Sequence, residues 1–206
     1  AQTSSNIIKL DKDTWKLEGN LITSNLVNDQ FYSVGRSGNK LYATGNFTNP
    51  VNQASLVEWN GNSWKVSELP AFQGENICLG SYIENVVIFG KSPSDDKPIK
   101  LNVGGVWMNI SEGLQSYLVE DVTQFGQIEK NLIAVGTFIN KANNKTSKVM
   151  IYDGSKWSET KLNLSSIEQI HSWDDKVLVS GDFSDNARLN GIGAIYLNRA
   201  QITARV

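Results

Sequence analysis

With 206 residues, 40% of them hydrophobic and 19% charged, the chain has the make-up of a folded protein with a substantial apolar core. A formal net charge of −2 with scattered lysines offers no basic face for neutralising phosphates, which argues against nucleic acid as a partner. No apolar run reaches the roughly 20 residues that span a bilayer, and Ala1-Gln-Thr-Ser-Ser-Asn6 has neither part of an export signal, so no membrane insertion by this segment is expected.

The predicted elements begin with a half unit over residues 7–21, in which Lys9-Leu-Asp-Lys-Asp-Thr-Trp15 reads as a strand, a turn and a tryptophan opening the next strand. The unit at 30–69 adds an earlier hairpin, Phe31-Tyr-Ser-Val, a turn at Ser37-Gly-Asn39 and the apolar strand Leu41-Tyr-Ala-Thr-Gly45. It closes on Val57-Glu-Trp-Asn-Gly-Asn-Ser-Trp64. The unit at 74–116 repeats the order with Ile77-Cys-Leu79, Val86-Val-Ile-Phe-Gly90 and Lys100-Leu-Asn-Val-Gly-Gly-Val-Trp107. Leu132-Ile-Ala-Val-Gly136 and Ile151-Tyr-Asp-Gly-Ser-Lys-Trp157 mark the unit at 121–163, and Val177-Leu-Val-Ser-Gly181, Ala194-Ile-Tyr-Leu197 and Gln201–Val206 that at 167–206.

The glycines at 45, 90, 136 and 181 therefore recur about every 45 residues, each ending an apolar strand. Asn60-Gly61 and Asp153-Gly154 supply residues that tolerate the positive φ of tight hairpins. No stretch has a sustained helical period. Four strands per unit predict an all-β fold, a β-propeller of about four to five four-stranded antiparallel blades in one domain. The terminal glycine is expected where a side chain would obstruct the next blade. The half unit leaves three readings of the strand count: a short blade, excision from a longer array, or completion by a second copy through an unpaired blade edge.

Leu41-Tyr-Ala-Thr-Gly-Asn-Phe-Thr48 with Ser55–Trp64, and Leu132-Ile-Ala-Val-Gly-Thr-Phe138 with Val149–Trp157, resemble the kelch-like repeats related to the galactose oxidase central domain. Such repeats occur in bacterial secreted proteins and in fungal cortical markers of cell polarity. The resemblance covers nearly the whole chain and carries no catalytic residue. It implies an extracellular or cell-envelope protein that displays a propeller for binding. The second unit departs from it, with Ser92-Pro-Ser-Asp-Asp-Lys-Pro98 in place of the Gly-x-Phe loop.

Trp15, Trp64, Trp107 and Trp157 fall at equivalent places and are read as packing residues, as is Trp59; Trp173, in a turn beside His171, is the candidate exposed anchor. Cys78 reads as a small buried hydrophobe. A single histidine and no D-x-D-x-D-G series leave no metal site and no cofactor to expect. The loops at 48–53, 91–98, 139–147 and 184–191 all follow the apolar strand and should gather on one rim. Asn49, Asp95, Asp96, Asn143, Asp185 and Arg188 are accordingly the candidate rim contacts. Asp29, Asp121 and Glu168 are the carboxylates to test for glycoside hydrolysis at a channel mouth. Among four Asn-x-Ser/Thr sequons, Asn144 is the candidate glycan acceptor. The expectation is a non-enzymatic module recognising a protein partner, with a cell-surface glycan or a glycosidase activity as the alternatives.

Overall fold

The computed structural model describes residues 8–11, 14–17, 30–38, 40–48, 53–59, 64–66, 77–91, 97–160, 166–173, 176–181, 191–198 and 201–205. All regular structure among them is β. One two-stranded sheet, β1 (Ile8–Asp11) and β2 (Thr14–Leu17), is followed by four antiparallel four-stranded sheets. Sheet one holds β3 (Gln30–Ser37), β4 (Lys40–Thr48), β5 (Gln53–Trp59) and β6 (Trp64–Val66). Sheet two holds β7 (Cys78–Tyr82), β8 (Asn85–Phe89), β9 (Ile99–Val103) and β10 (Val106–Asn109). Sheet three comprises β11 (Tyr117–Ile128), β12 (Asn131–Asn140), β13 (Thr146–Tyr152) and β14 (Trp157–Glu159); sheet four comprises β15 (Gln169–Trp173), β16 (Lys176–Gly181), β17 (Gly191–Asn198) and β18 (Gln201–Arg205). In each sheet the strands follow chain order.

The second strands are apolar on both faces because both faces are covered, the pattern of a strand enclosed between layers. Val86, Val87, Ile88 and Phe89 of β8 are wholly buried, as are Leu132, Ile133 and Ala134 of β12. Three clusters fill the spaces between consecutive sheets. Tyr42 and Leu56 meet Leu79, Val86 and Ile88; Val87, Phe89 and Leu101 meet Leu132, Ala134 and Met150; Ile133, Val135 and Val149 meet Val177 and Val179. The hairpin end at Asp153-Gly154 follows the turn chemistry that the sequence indicates, while Asn60-Gly61 lies outside the described residues. Gly154 has a φ of 96°, and the Asp153 carboxylate accepts the Ser155 and Lys156 N–H groups at 2.8 and 2.9 Å. Those bonds hold its carboxyl below the usual carboxylate range.

At Gly136 and Gly181 the repeating glycine has a different cause from the one the sequence suggests. A Cβ at Gly136 would run into the Asp121 carbonyl and the Val122 Cα, and one at Gly181 into the Ser166 carbonyl. The obstruction thus comes from the preceding segment of the glycine's own unit, where the β11–β12 register shifts between Val119 and Asp121 and again between Val122 and Gln124. At Gly136 it is a bulge requirement inside one sheet, and at neither glycine is the obstruction set by the next sheet.

Contact between sheets uses a second glycine series. The first strands β3, β7, β11 and β15 pack on one another in that order. Gly35, Gly80, Gly126 and His171 occupy the same register position, opposite Tyr42, Val87, Ile133 and Leu178, and are 45 or 46 residues apart. The residue before each belongs to a matching series, Val34, Leu79, Phe125 and Ile170. A Cβ on Gly35 would lie 3.1 Å from Val86 Cγ2 and 3.4 Å from the Leu79 Cβ, one on Gly80 would strike the Phe125 Cβ, and one on Gly126 would lie 2.8 Å from Ile170 Cδ1. Each apolar side chain therefore sits on the bare backbone of the sheet before it.

Polar groups reinforce the same contact. Ser33 Oγ accepts the Leu79 N–H at 3.3 Å, Gln124 Oε1 accepts the Ile170 N–H at 2.6 Å, and Gln127 Oε1 accepts the Ile83 N–H at 2.7 Å. Ser81 Oγ donates to the Arg36 carbonyl at 3.2 Å, and Ser172 Oγ accepts the Gln127 N–H at 3.0 Å. Backbone groups on the free edges of the first strands are satisfied from the neighbouring sheet.

The two glycine series differ in what a methyl group would meet, and substitution should separate them. Gly136→Ala presses on fixed backbone and is expected to destabilise by about 3 kcal/mol. Gly126→Ala meets the end of a flexible side chain and should cost less than about 1.5 kcal/mol. Urea unfolding of the two variants measures both.

Candidate functional site

A cleft of about 630 Å³ lies between sheets two and three, at the end where their second strands finish. One wall is the link from β10 to β11. Asn109 Oδ1 accepts the Ser111 N–H at 3.2 Å, the Leu114 N–H reaches the Ser111 carbonyl at 3.0 Å, and the Tyr117 N–H reaches the Leu114 carbonyl at 2.9 Å. Gly113, with a φ of 88°, lies so close to the Trp157 backbone that a Cβ would collide with it. The Trp157 N–H donates to the Glu112 carbonyl at 2.7 Å and its indole Nε1–H to the Ile110 carbonyl. Leu114 and Ile110 are buried beneath. The link is therefore clamped onto the outermost strand of sheet three.

The connections after the apolar strands complete the cleft. Lys91, Lys97 and Pro98 come from the β8–β9 connection, and the Gly90 N–H bonds the Pro98 carbonyl at 3.0 Å. Lys141 comes from the β12–β13 turn; its N–H donates to the Ser116 carbonyl at 2.9 Å and its Nζ to the Gln115 carbonyl at 3.0 Å. Leu118, 51% exposed, supplies an apolar surface on β11. Ser111 Oγ, which also lines the cleft, is buried without a hydrogen-bond partner among the described residues. Glu112 is engaged by Gln115 Nε2 at 3.0 Å. A rigid, open concavity with lysines and an apolar wall can hold a ligand or a partner's side chains. No group of three His, Cys, Asp or Glu suited to a metal ion occurs among the described residues.

The candidate rim residues divide between described and undescribed parts of the chain. Asn143 is exposed in the β12–β13 turn, where its Oδ1 accepts the Lys145 N–H at 2.9 Å, one turn residue removed from Lys141. Asn144 is exposed beside it with a φ of 57°, its N–H bonded to the Asn140 carbonyl at 2.8 Å. Asn49, Asp95, Asp96, Asp185 and Arg188 lie outside the described residues, as does the side chain of Trp173. Lys91, Lys97 and Lys141 were not among the residues that the sequence singles out. Lys91 and Lys97 bracket the 91–98 loop, and Lys141 opens the 139–147 turn, so position in the repeat was the available signal.

Asp121 and Glu168 do not fall at one register position. Asp121 is half-buried opposite Thr137, whose Oγ1 donates to Asp121 Oδ2 at 3.4 Å. The corresponding residue of sheet one is Gln30, opposite Asn46, while Asp29 lies outside the described residues. Glu168 is exposed just before β15, with its N–H on the Ser180 carbonyl at 2.9 Å.

Among the described side chains the tryptophan pattern is a packing pattern, and the Trp15 side chain lies outside them. Trp59 and Trp64 are buried and face each other at 5.5 Å between ring centres; Tyr152 and Trp157 repeat the pair at 5.4 Å. Trp107 is partly buried and meets Tyr42 of sheet one edge-on at 6.0 Å. No protein-family model matches the chain, and no curated protein matches it.

Cys78 is buried within the cluster between sheets two and three, with Sγ donating to the Thr123 carbonyl at 3.4 Å, and burial pushes its thiol pKa up to about 12. At pH 8 the native protein should therefore resist iodoacetamide and be alkylated only after unfolding. Mass spectrometry of samples quenched with and without denaturant reads this directly.

Proposed function

We propose that the chain is a kelch-like β-propeller that works as a non-enzymatic binding or scaffolding module outside the cell or in the cell envelope, recognising a protein partner through the loops of one rim. The observation that carries the reading is the cleft itself. The β8–β9 connection and the β12–β13 turn, two of the four loops expected on that rim, converge there and bring Lys91, Lys97 and Lys141 around the exposed Leu118. Consecutive stacked sheets, with first strands packed on one another, support the propeller arrangement and hold such loops on a stiff base. Cationic side chains around an apolar residue suit a partner surface that pairs acidic groups with an apolar contact. A carbohydrate ligand is the second reading, favoured by a volume within the range of small-ligand sites.

A photo-crosslinking residue at Leu118 tests the proposal against one at Lys130, in the β11–β12 turn at the opposite end of the sheet. With extracellular proteins from the source organism, a discrete protein adduct is expected at 118 and not at 130. Lys91→Glu combined with Lys141→Glu should reduce that adduct at least about fivefold, since charge reversal opposes an acidic partner. Binding to a glycan array that the same double variant abolishes would favour the carbohydrate reading. Glycoside hydrolysis lost on Asp121→Asn would overturn both.

A further inference from the structure

The polar side chains of the cleft between sheets two and three are divided by what their hydrogen bonds already hold. Several acceptors are engaged by the cleft's own wall. Asn109 Oδ1 takes the Ser111 N–H at 3.2 Å, and Gln115 Oε1 takes the Gly113 N–H at 2.8 Å. Glu112, the one carboxylate lining the cleft among the described residues, accepts Gln115 Nε2 through Oε2 at 3.0 Å. The Tyr117 hydroxyl is directed away as well, donating to Glu159 Oε2 at 3.3 Å.

The donors are in a different state. Lys91, Lys97 and Lys141 line the cleft, and an ammonium group carries three N–H donors and no acceptor. Lys141 gives one of its donors to the Gln115 carbonyl at 3.0 Å and keeps the others. Ser111 Oγ, also in the lining, is the one buried side-chain oxygen or nitrogen among the described residues that has no hydrogen-bond partner. Such a hydroxyl is rare in a native structure and marks a place that an arriving acceptor can fill. Three ammonium groups share the lining with one carboxylate, a local excess of two positive charges. Pro98, Leu114, Leu118 and Val119 supply aliphatic surface between them.

Resting on the reading of this cleft as the binding site, we infer that its ligand is a linear acidic peptide segment in which carboxylate side chains flank an aliphatic residue. The aliphatic residue lies on Leu118, which is 51% exposed, and the carboxylates meet the lysines, with one carboxylate oxygen accepting the Ser111 O–H. An ionised carboxylate accepts and never donates, so it suits a wall whose donors outnumber its remaining acceptors. A sugar suits it less, because each sugar hydroxyl also donates and needs an acceptor of its own. A linear segment is favoured over a convex folded surface because a concavity of about 630 Å³ takes a short, narrow occupant.

The probe is the blocked peptide acetyl-Asp-Glu-Leu-Glu-Asp-amide carrying an uncharged dye, titrated with the full 206-residue chain by fluorescence anisotropy. Saturable binding that weakens as salt is raised is expected, and the peptide with Asn and Gln in place of Asp and Glu should bind at least about tenfold more weakly. Ser111→Ala should weaken binding of the acidic peptide at least about threefold, while its urea midpoint stays the same or rises, because the hydroxyl has no native bond to lose. Ser155→Ala, in the β13–β14 turn at the opposite end of sheet three, should leave the affinity unchanged. No saturable binding, equal binding by the amide peptide, tighter binding by a galacturonic acid oligomer, or an affinity that Ser111→Ala leaves untouched would overturn the inference. Crosslinking from Leu118 uses whole proteins and is decided separately: a partner adduct there without peptide binding removes the acidic peptide as ligand and leaves rim binding standing.

Discussion

An apolar side chain resting on bare neighbouring backbone is the contact on which the arrangement of this protein depends. Leu79 on Gly35, Phe125 on Gly80 and Ile170 on Gly126 set how closely one sheet approaches the next. At that separation the larger side chains of the second strands interlock into continuous clusters, Ser33 and Gln124 come within hydrogen-bond reach of N–H groups on the adjacent first strand, and Gln127 reaches the Ile83 N–H in the turn that follows one. A first strand has a ladder partner on one side alone. The side-chain bonds from the neighbouring sheets meet needs of its other edge, which would otherwise be open to aggregation. Burial and edge satisfaction follow from a single spacing.

The same spacing gives the row a direction. In each of the three contacts an apolar residue points to the preceding sheet and a glycine receives from the following one, while the first sheet exposes Val34 and the fourth exposes His171. These ends are not complementary, because an imidazole stands where the seat should be. Closure of sheet four directly onto sheet one by the repeated contact is sterically opposed. The loops at the far ends of the second strands are free of this constraint, and it is there that the cleft between sheets two and three forms.

The sequence made the sheets legible through particular residues. Apolar runs ending at Gly90, Gly136 and Gly181 are second strands because only a strand covered on both faces loses its polar alternation. The glycine at their end was visible while its cause was not, since periodicity reports that a site lacks room and not which atoms fill it. The Gly35, Gly80, Gly126 series was equally periodic but broken at His171, and a four-fold count conceals it. Trp64, Trp107 and Trp157 recur at one place, yet Trp64 and Trp157 are buried while Trp107 is only partly so. The site was less legible. Loop position within the repeat pointed to the 91–98 and 139–147 segments, yet the lysines that line the cleft obey no repeat, and Asp121 shares no register position with Glu168.

The most direct test of the central contact is a double-mutant cycle between Gly126 and Ile170, followed by urea unfolding. Gly126→Val and Ile170→Ala should each destabilise the protein. If Ile170 rests on Gly126, the smaller residue at 170 makes room for the larger one at 126, and the double variant should be more stable than the sum of the two effects by about 1 kcal/mol or more. Additive effects would contradict the account, because they would mean that the two sheets do not meet through these residues.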